Sequence, residues 1–299
     1  MTLKIAHIVN FVNADPSSDL VIAQPVTVAS MKLARASVTG NIDVQFYSAQ
    51  YSEDHCVVDT SFIKTPDLER SIQDIGTFKV TRKLPLLFDI LSCLDDASNA
   101  DYFIYTNVDI ALMPNFYQEV ALIIEQGFDA FSITRRDISD RFTSPDQMEE
   151  MFLDQGMKHG GYDCFVFPKA MFKDFIFNKS CLGTGYVGAA ILVNMAARAK
   201  KLRVFRNTHL TFHIGSEVRH ANPALLEYRD HNQREYFKLV KAIRKSGGAK
   251  SATAFFRSDK VIQPRIKVPF YSMPRRWLHK RWKKLKRITR DKWQRLFLW

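Results

Sequence analysis

Apolar positions along the chain switch between the two-residue period of strands and the three-to-four-residue period of amphipathic helices. Residues 3–12 are rich in β-branched side chains and read as a strand. Residues 22–37 carry one apolar helical face that stops at Thr39-Gly40-Asn41, and 42–48 is a second strand. Leu84, Leu87, Phe88, Leu91 and Leu94 predict a helix over 83–94. The aromatic and β-branched run 101–107 (DYFIYTN) is a strand of the buried type. A helix over 114–126, begun by Pro114, and a strand over 129–134 follow. This βαβαβ rhythm predicts an α/β fold, a mostly parallel, Rossmann-like sheet with helices on both faces. The second half is less regular, with strands at 164–167, 203–205 and 210–214, a helix at 189–200, and a break at Ser246-Gly247-Gly248.

Composition adds a boundary. The 299 residues are 46% hydrophobic and 12% aromatic, which supplies ample core and excludes disordered, collagenous and disulfide-stapled classes. The formal charge of +12 sits at one end: 265–299 hold 13 of the 43 Lys and Arg against one acid, Asp291. That leaves thirty basic and thirty acidic residues in 1–264. The expected organisation is a neutral domain over 1–264 with a basic tail over 265–299. No run of about 18 uncharged apolar residues is present, and the first residues read as a strand rather than a signal peptide. Cys56, Cys93, Cys164 and Cys181 lack C-x-x-C spacing, so buried free thiols and a reducing, cytosolic-side compartment are expected.

Three clusters hold the candidate chemistry. Open α/β sheets bind ligands beyond the carboxyl ends of their strands, where Tyr105-Thr106-Asn107-Val108-Asp109 lies. In an extended chain Asn107 and Asp109 face one side and offer two hard ligands, suited to Mg²⁺ or Mn²⁺ on a diphosphate. The same residues also make an ordinary turn. Lys158-His159-Gly160-Gly161-Tyr162-Asp163 puts paired glycines beside a His, a Tyr and an acid, a ligand loop or a hairpin. His209 and His213, four apart in a strand-like run, lie about 13 Å from each other, too far to share one metal. One of them is a ligand candidate, and a merely hydrogen-bonded histidine is the alternative.

The Leu-bearing helix, the strand YFIYTNVDI, the Pro-aromatic helix after it and the late His of TFHIG occur in this order over roughly residues 3–215. This arrangement resembles GT-A fold nucleotide-sugar glycosyltransferases of the bacterial surface-glycan type. The resemblance implies a Mn²⁺ or Mg²⁺ ion held by Asp109 and His213, with Asn107 as a weaker first member of the acidic pair on the donor side. It implies donor contacts at Asn10, Asn13 and Asp15, and cationic stabilisation of the diphosphate by Lys83 and by Arg136 or its neighbour Arg135. Acceptor contacts would fall at His159, Gly161 and Tyr186. Relatives carry an acidic base where this chain has Gly183-Thr184-Gly185-Tyr186-Val187-Gly188, so Asp163 is the substitute base by position. Asn107 and the missing acid also leave open a non-catalytic nucleotide-sugar or nucleic-acid binding protein on a degenerate fold.

The tail adds a place of work. Trp277, Trp282, Trp293 and Trp299, all four tryptophans of the chain, share one broad helical face with Leu278, Leu285, Ile288 and Leu296. Most Lys and Arg lie opposite, with Arg281 and Lys292 near the apolar edge. A basic helix over 274–299 with this face fits an anionic membrane surface, each cation contributing about 1 kcal/mol there. Packing on the body and a calmodulin-like groove partner are the alternatives. A nucleic-acid tail needs no wide apolar face, which disfavours it. The expectation is a cytoplasmic protein peripheral on the inner membrane, with a membrane-associated glycan or glycolipid acceptor from lipopolysaccharide or capsule assembly.

Overall fold

The computed structural model describes residues 2–216 and 223–258, and the expectations for the basic tail lie outside them. Strands and helices alternate at first: β1 (Leu3–Asn10), α1 (Leu20–Ala36), β2 (Ile42–Ala49), β3 (Phe62–Lys64), α2 (Leu87–Ala97), β4 (Tyr102–Thr106), β5 (Ala111–Leu112), α3 (Phe116–Glu125), β6 (Ala130–Ile133) and β7 (Arg136–Ile138). Then come α4 (Met148–Leu153), β8 (Met157–Lys158), β9 (Cys164–Pro168), α5 (Lys169–Phe172), α6 (Val187–Arg198), β10 (Leu202–Phe205), β11 (Thr211–Ile214), α7 (Leu226–Lys245) and α8 (Ala249–Ser258).

The main sheet has seven strands in the order β10-β6-β9-β4-β1-β2-β3. Every pair is parallel except those of β9, which runs antiparallel between β4 and β6. Burial on both faces explains why its strands read as continuous apolar runs. Along β4, Phe103 and Tyr105 enter the core under α2 and α6, while Ile104 enters the core under α1 and α3. β9 repeats the alternation with Phe165 and Phe167 on one side and Cys164 and Val166 on the other. Side chains of this size contribute about 1.5–3 kcal/mol each when buried. The α/β class, the parallel sheet and the two-faced helical cover therefore stand as the pattern predicts. Among the described residues no helix is long and apolar enough to cross a membrane.

A second sheet, in the order β5-β11-β7-β8, leans on the C-terminal side of the first and was not foreseen. Its strands are two to four residues long, too short to show a period. Other differences have local causes. The helix expected from Lys83 starts at Leu87, because Pro85 disfavours helix at the residue before it and Leu84–Leu86 run extended, with a bridge from Leu86 to Cys181. The helix expected from Pro114 begins at Phe116. Gly160 and Gly161 connect β8 to β9, which pair with different strands, so they do not close a hairpin. The four cysteines are free, but only Cys164 and Cys181 are buried; Cys93 is half-buried and Cys56 exposed.

Candidate active site

β4 ends at Thr106, and the backbone then turns, with the Ile110 amide donating to the Asn107 carbonyl at 3.1 Å. Asn107 and Asp109 therefore do not share a strand face. The turn carries the carboxylate inward, because Val108 and Ile110 on either side of it are buried. Asp109 itself is 4% exposed. β5 then pairs antiparallel with β11, Leu112 opposite Thr211 and Ala111 opposite Phe212, and this register runs His213 past Ile110 towards Asp109. The result is an Asp109 Oδ2 to His213 Nε2 distance of 3.5 Å. His209 has a left-handed backbone, φ +48°, and stands outside β11.

The chemistry of this pair is set by its neighbours. The Gly215 carbonyl accepts a hydrogen bond from His213 Nδ1 at 3.0 Å, which fixes the ring and turns Nε2 to the carboxylate. Burial works against the charged ring, but the Asp109 carboxylate and the Gly215 carbonyl outweigh it. The His213 pKa accordingly lies above the ordinary histidine value. Asn107 is half-buried, and its Oδ1 accepts from the Tyr105 hydroxyl at 3.0 Å.

One strand further across the second sheet, His213 is in register with Asp137 of β7. Here the structure assembles a charge network. Arg135, 1% exposed, donates from Nε to Asp137 Oδ1 at 2.9 Å and from Nη1 to Asp163 Oδ1 at 3.3 Å. His159 Nδ1 donates to Asp137 Oδ2 at 3.0 Å. Burial alone would raise the Asp137 carboxyl, yet His159 and Arg135 hold it below the ordinary carboxylate range. Of the two arginines, Arg135 is thus the one in the site. The Arg136 guanidinium binds the carbonyls of Gln155 and Gly156, pinning the approach to β8.

The loops after β1 and β2 form a separate group. Asn10 Nδ2 donates to the Ala49 carbonyl at 2.8 Å and ties the ends of β1 and β2 together. Asp54, 4% exposed, accepts from the Asn13 amide at 2.7 Å and the Tyr51 amide at 3.3 Å. Lys83 pairs with Glu53 and stands 4.0 Å from the Tyr51 ring centroid. Asp15 is exposed and caps its own turn through the Ser17 amide and hydroxyl, which lower its pKa. The structure thus gathers Asn10, Asn13 and Lys83 at the ends of the first two strands. It brings Asp109, His213, Arg135, Asp137, His159 and Asp163 together around the second sheet.

Gly161 and Gly188 explain two close approaches. A Cβ on Gly188 would meet the Tyr162 carbonyl at 2.5 Å, so the glycine lets the first turn of α6 press on the entrance to β9. A Cβ on Gly161 would stand 2.6 Å from His159 Nε2 and 3.6 Å from Asp163 Oδ2. Tyr186 holds a left-handed backbone, φ +75°, at the start of α6, its hydroxyl accepting from Gln233. Asp54 and Asp137 were missed by sequence reasoning. An acid just past a parallel strand was the available signal for Asp54; Asp137 gave none apart from its place beside the arginines.

No family model matches this chain, and no curated protein sequence matches it. Solved structures of similar fold include residues 1–349 of Staphylococcus aureus TarS in complex with UDP-GlcNAc. That similarity has a TM-score of 0.48 at 10% identity, covering 85% of this chain and 72% of the other. Glucosyl-3-phosphoglycerate synthase from Mycobacterium tuberculosis, in complex with phosphoglyceric acid, gives a TM-score of 0.46 at 13% identity, covering 80% and 79% of the two chains. At such identities the likeness concerns the course of the backbone, and the case for function rests on this chain's own side chains.

Proposed function

We propose that this chain is a glycosyltransferase of GT-A type, moving a sugar from a nucleotide-sugar donor to a hydroxyl of a membrane-associated glycan or glycolipid. The observation that carries the reading is the buried Asp109–His213 pair at the carboxyl end of β4, one strand from the Arg135 network. A buried carboxylate aimed at an imidazole nitrogen whose partner nitrogen is already engaged is the donor set a divalent ion takes. Among the described residues no cluster of three or more His, Cys, Asp or Glu is arranged to hold a metal. Asp109 and His213 are the residues that would hold such an ion. Mn²⁺, which accepts imidazole readily, suits the pair better than Mg²⁺. When bound, such an ion supplies charge neutralisation to the departing diphosphate.

The chain's own residues supply the rest. Lys83, with the loop of Asn10, Asn13 and Asp15, is placed for the nucleotide and its phosphates, and Asn107 borders the same strand end. Arg135 is a fixed positive charge beside the region where negative charge develops on the leaving group. His159, Gly161, Tyr186 and Asp163 line the acceptor side, and Asp163 or His159 receives the proton of the attacking hydroxyl. Leu153 at the end of α4 and Met157 in β8 are 79% and 68% exposed. With the basic Trp-bearing tail they support an acceptor at an anionic membrane, on its cytoplasmic face.

The reading is tested by nucleotide release from UDP-, GDP- and CMP-sugars with and without Mn²⁺. Turnover of one donor class is expected, falling at least about 100-fold in Asp109→Ala; wild-type rates in that variant would remove the pair from the site. A second reading, donor binding without transfer, is favoured by the absence of any acid over 183–188. It predicts calorimetric donor binding with no nucleotide release.

A further inference from the structure

The second sheet orders its chemistry across its width. Asp109 precedes β5, His213 is on β11, Asp137 on β7, and His159 directly follows β8, in the strand order β5-β11-β7-β8. Two strand spacings of about 4.8 Å therefore separate His213 from His159, on the order of 10 Å. Asp137, on the strand between them, is in register with His213 and accepts from His159 Nδ1 at 3.0 Å.

Two groups stand nearest Gly161, whose missing side chain lets the His159 ring pack against its backbone: a Cβ there would lie 2.6 Å from His159 Nε2 and 3.6 Å from Asp163 Oδ2. They differ in what protonation would cost. Asp163 is ion-paired through Oδ1 to Arg135, whose side chain is wholly buried, and neutralising it would strip that cation of a counter-charge. His159 stands at the outer end of the network, its side chain 23% exposed. Its Nδ1 donates to Asp137 Oδ2 at 3.0 Å, which leaves Nε2 as the lone-pair nitrogen, with no hydrogen-bond partner among the described residues. The His159 amide also donates to the Arg135 carbonyl at 3.4 Å, fixing the ring's backbone to β7.

We infer that His159, oriented by Asp137, is the general base of the transfer reaction, replacing the carboxylate absent from 183–188. The inference rests on the nucleotide-sugar reading above. The acceptor hydroxyl gives its proton to His159 Nε2 as its oxygen bonds to the anomeric carbon. The bond from that carbon to the phosphate oxygen breaks, its electron pair leaves with the nucleotide diphosphate, and the anomeric configuration inverts. The imidazolium formed is stabilised by Asp137 and returns its proton to solvent through its exposed edge. Asp137 is a positioning residue, and Gly161 lets the His159 ring keep its place, since a Cβ there would stand 2.6 Å from Nε2.

The test uses full-length protein and nucleotide release from UDP-glucose, UDP-N-acetylglucosamine and GDP-mannose, with water as the acceptor. His159→Ala is expected to lower kcat roughly 100- to 1,000-fold, with donor KM within about threefold and partial recovery on adding imidazole. His159→Gln, which keeps an amide beside Asp137 and guards against a folding artefact, shows the same loss. Asp137→Asn lowers kcat by a smaller factor, and imidazole does not restore it. A His159→Ala variant at wild-type kcat overturns the base assignment while leaving the donor reading intact. A loss that imidazole leaves unchanged in both His159 variants does the same. Donor binding by the wild type with no nucleotide release from any of the three overturns the transfer reading and the base with it.

Discussion

His7 shows how far the side chains of this molecule depart from their solution chemistry. It lies in the middle of β1, wholly buried, its ring bridging the Tyr117 hydroxyl at 2.8 Å and the Thr106 hydroxyl at 2.9 Å. Burial lowers its pKa to about 3. The folded protein therefore keeps His7 neutral where the unfolded chain, at about 6.5, takes up a proton. Its contribution to stability is full above pH 6.5 and is lost as the pH falls from there towards 3, at about 1.4 kcal/mol per pH unit. Denaturant unfolding at pH 7 and pH 4.5 should show the wild type losing about 3 kcal/mol more than His7→Gln between the two. Parallel losses in both proteins would contradict a neutral His7. At this scale the sequence was partly legible. Asp109 was readable as an acid beyond a buried strand, and His213 as the late histidine. Which arginine of Arg135-Arg136 enters the site was not, because it depends on which face of β7 is buried. Nor was the His159–Asp137 contact, made by residues 22 apart in and just beyond strands too short to show a period.

At the scale of elements, α7 is the longest of the helices that periodicity did not reveal. Three of its buried positions, His231, Asn232 and Glu235, are polar, which blurs an apolar stripe that otherwise runs through Tyr228, Tyr236, Leu239, Val240 and Ile243. Its polar residues hold the segment leading into α6. Asn232, fully buried, accepts from the Cys181 amide at 3.0 Å and donates to the Cys181 carbonyl at 2.8 Å and the Gly185 carbonyl at 3.0 Å. Glu235 accepts from the Lys179 amide at 3.0 Å. Asn232→Ala removes these bonds and leaves backbone groups of the 181–185 segment without partners, so a loss of roughly 2–4 kcal/mol in denaturant unfolding is expected. A loss under about 0.5 kcal/mol would mean that the 181–186 segment is held by other contacts. The strands of the main sheet were legible because burial on both faces writes itself into sequence as apolar runs. The antiparallel direction of β9 was not, since a run such as CFVFP has no polarity of its own.

For the whole molecule, charge is unevenly distributed along the sequence. Residues 1–264 carry no net formal charge and include both sheets and the candidate site, and the excess of +12 belongs to the remaining 35. If the tail reads an anionic surface, full-length protein floats with vesicles containing anionic lipid and stays behind with zwitterionic ones, the difference shrinking as salt is raised. Replacing Trp277, Trp282, Trp293 and Trp299 by Ser in the full chain should abolish flotation; equal flotation on both lipids would remove the electrostatic account.

The most direct test of the site is titration calorimetry of UDP and GDP into the wild-type and Asp109→Asn proteins, with and without Mn²⁺. Binding of one nucleotide that Mn²⁺ tightens about tenfold or more in the wild type, with that gain lost in Asp109→Asn and metal-free affinity kept, is the predicted result. An equal Mn²⁺ effect in both proteins, or no binding of either nucleotide, would contradict it.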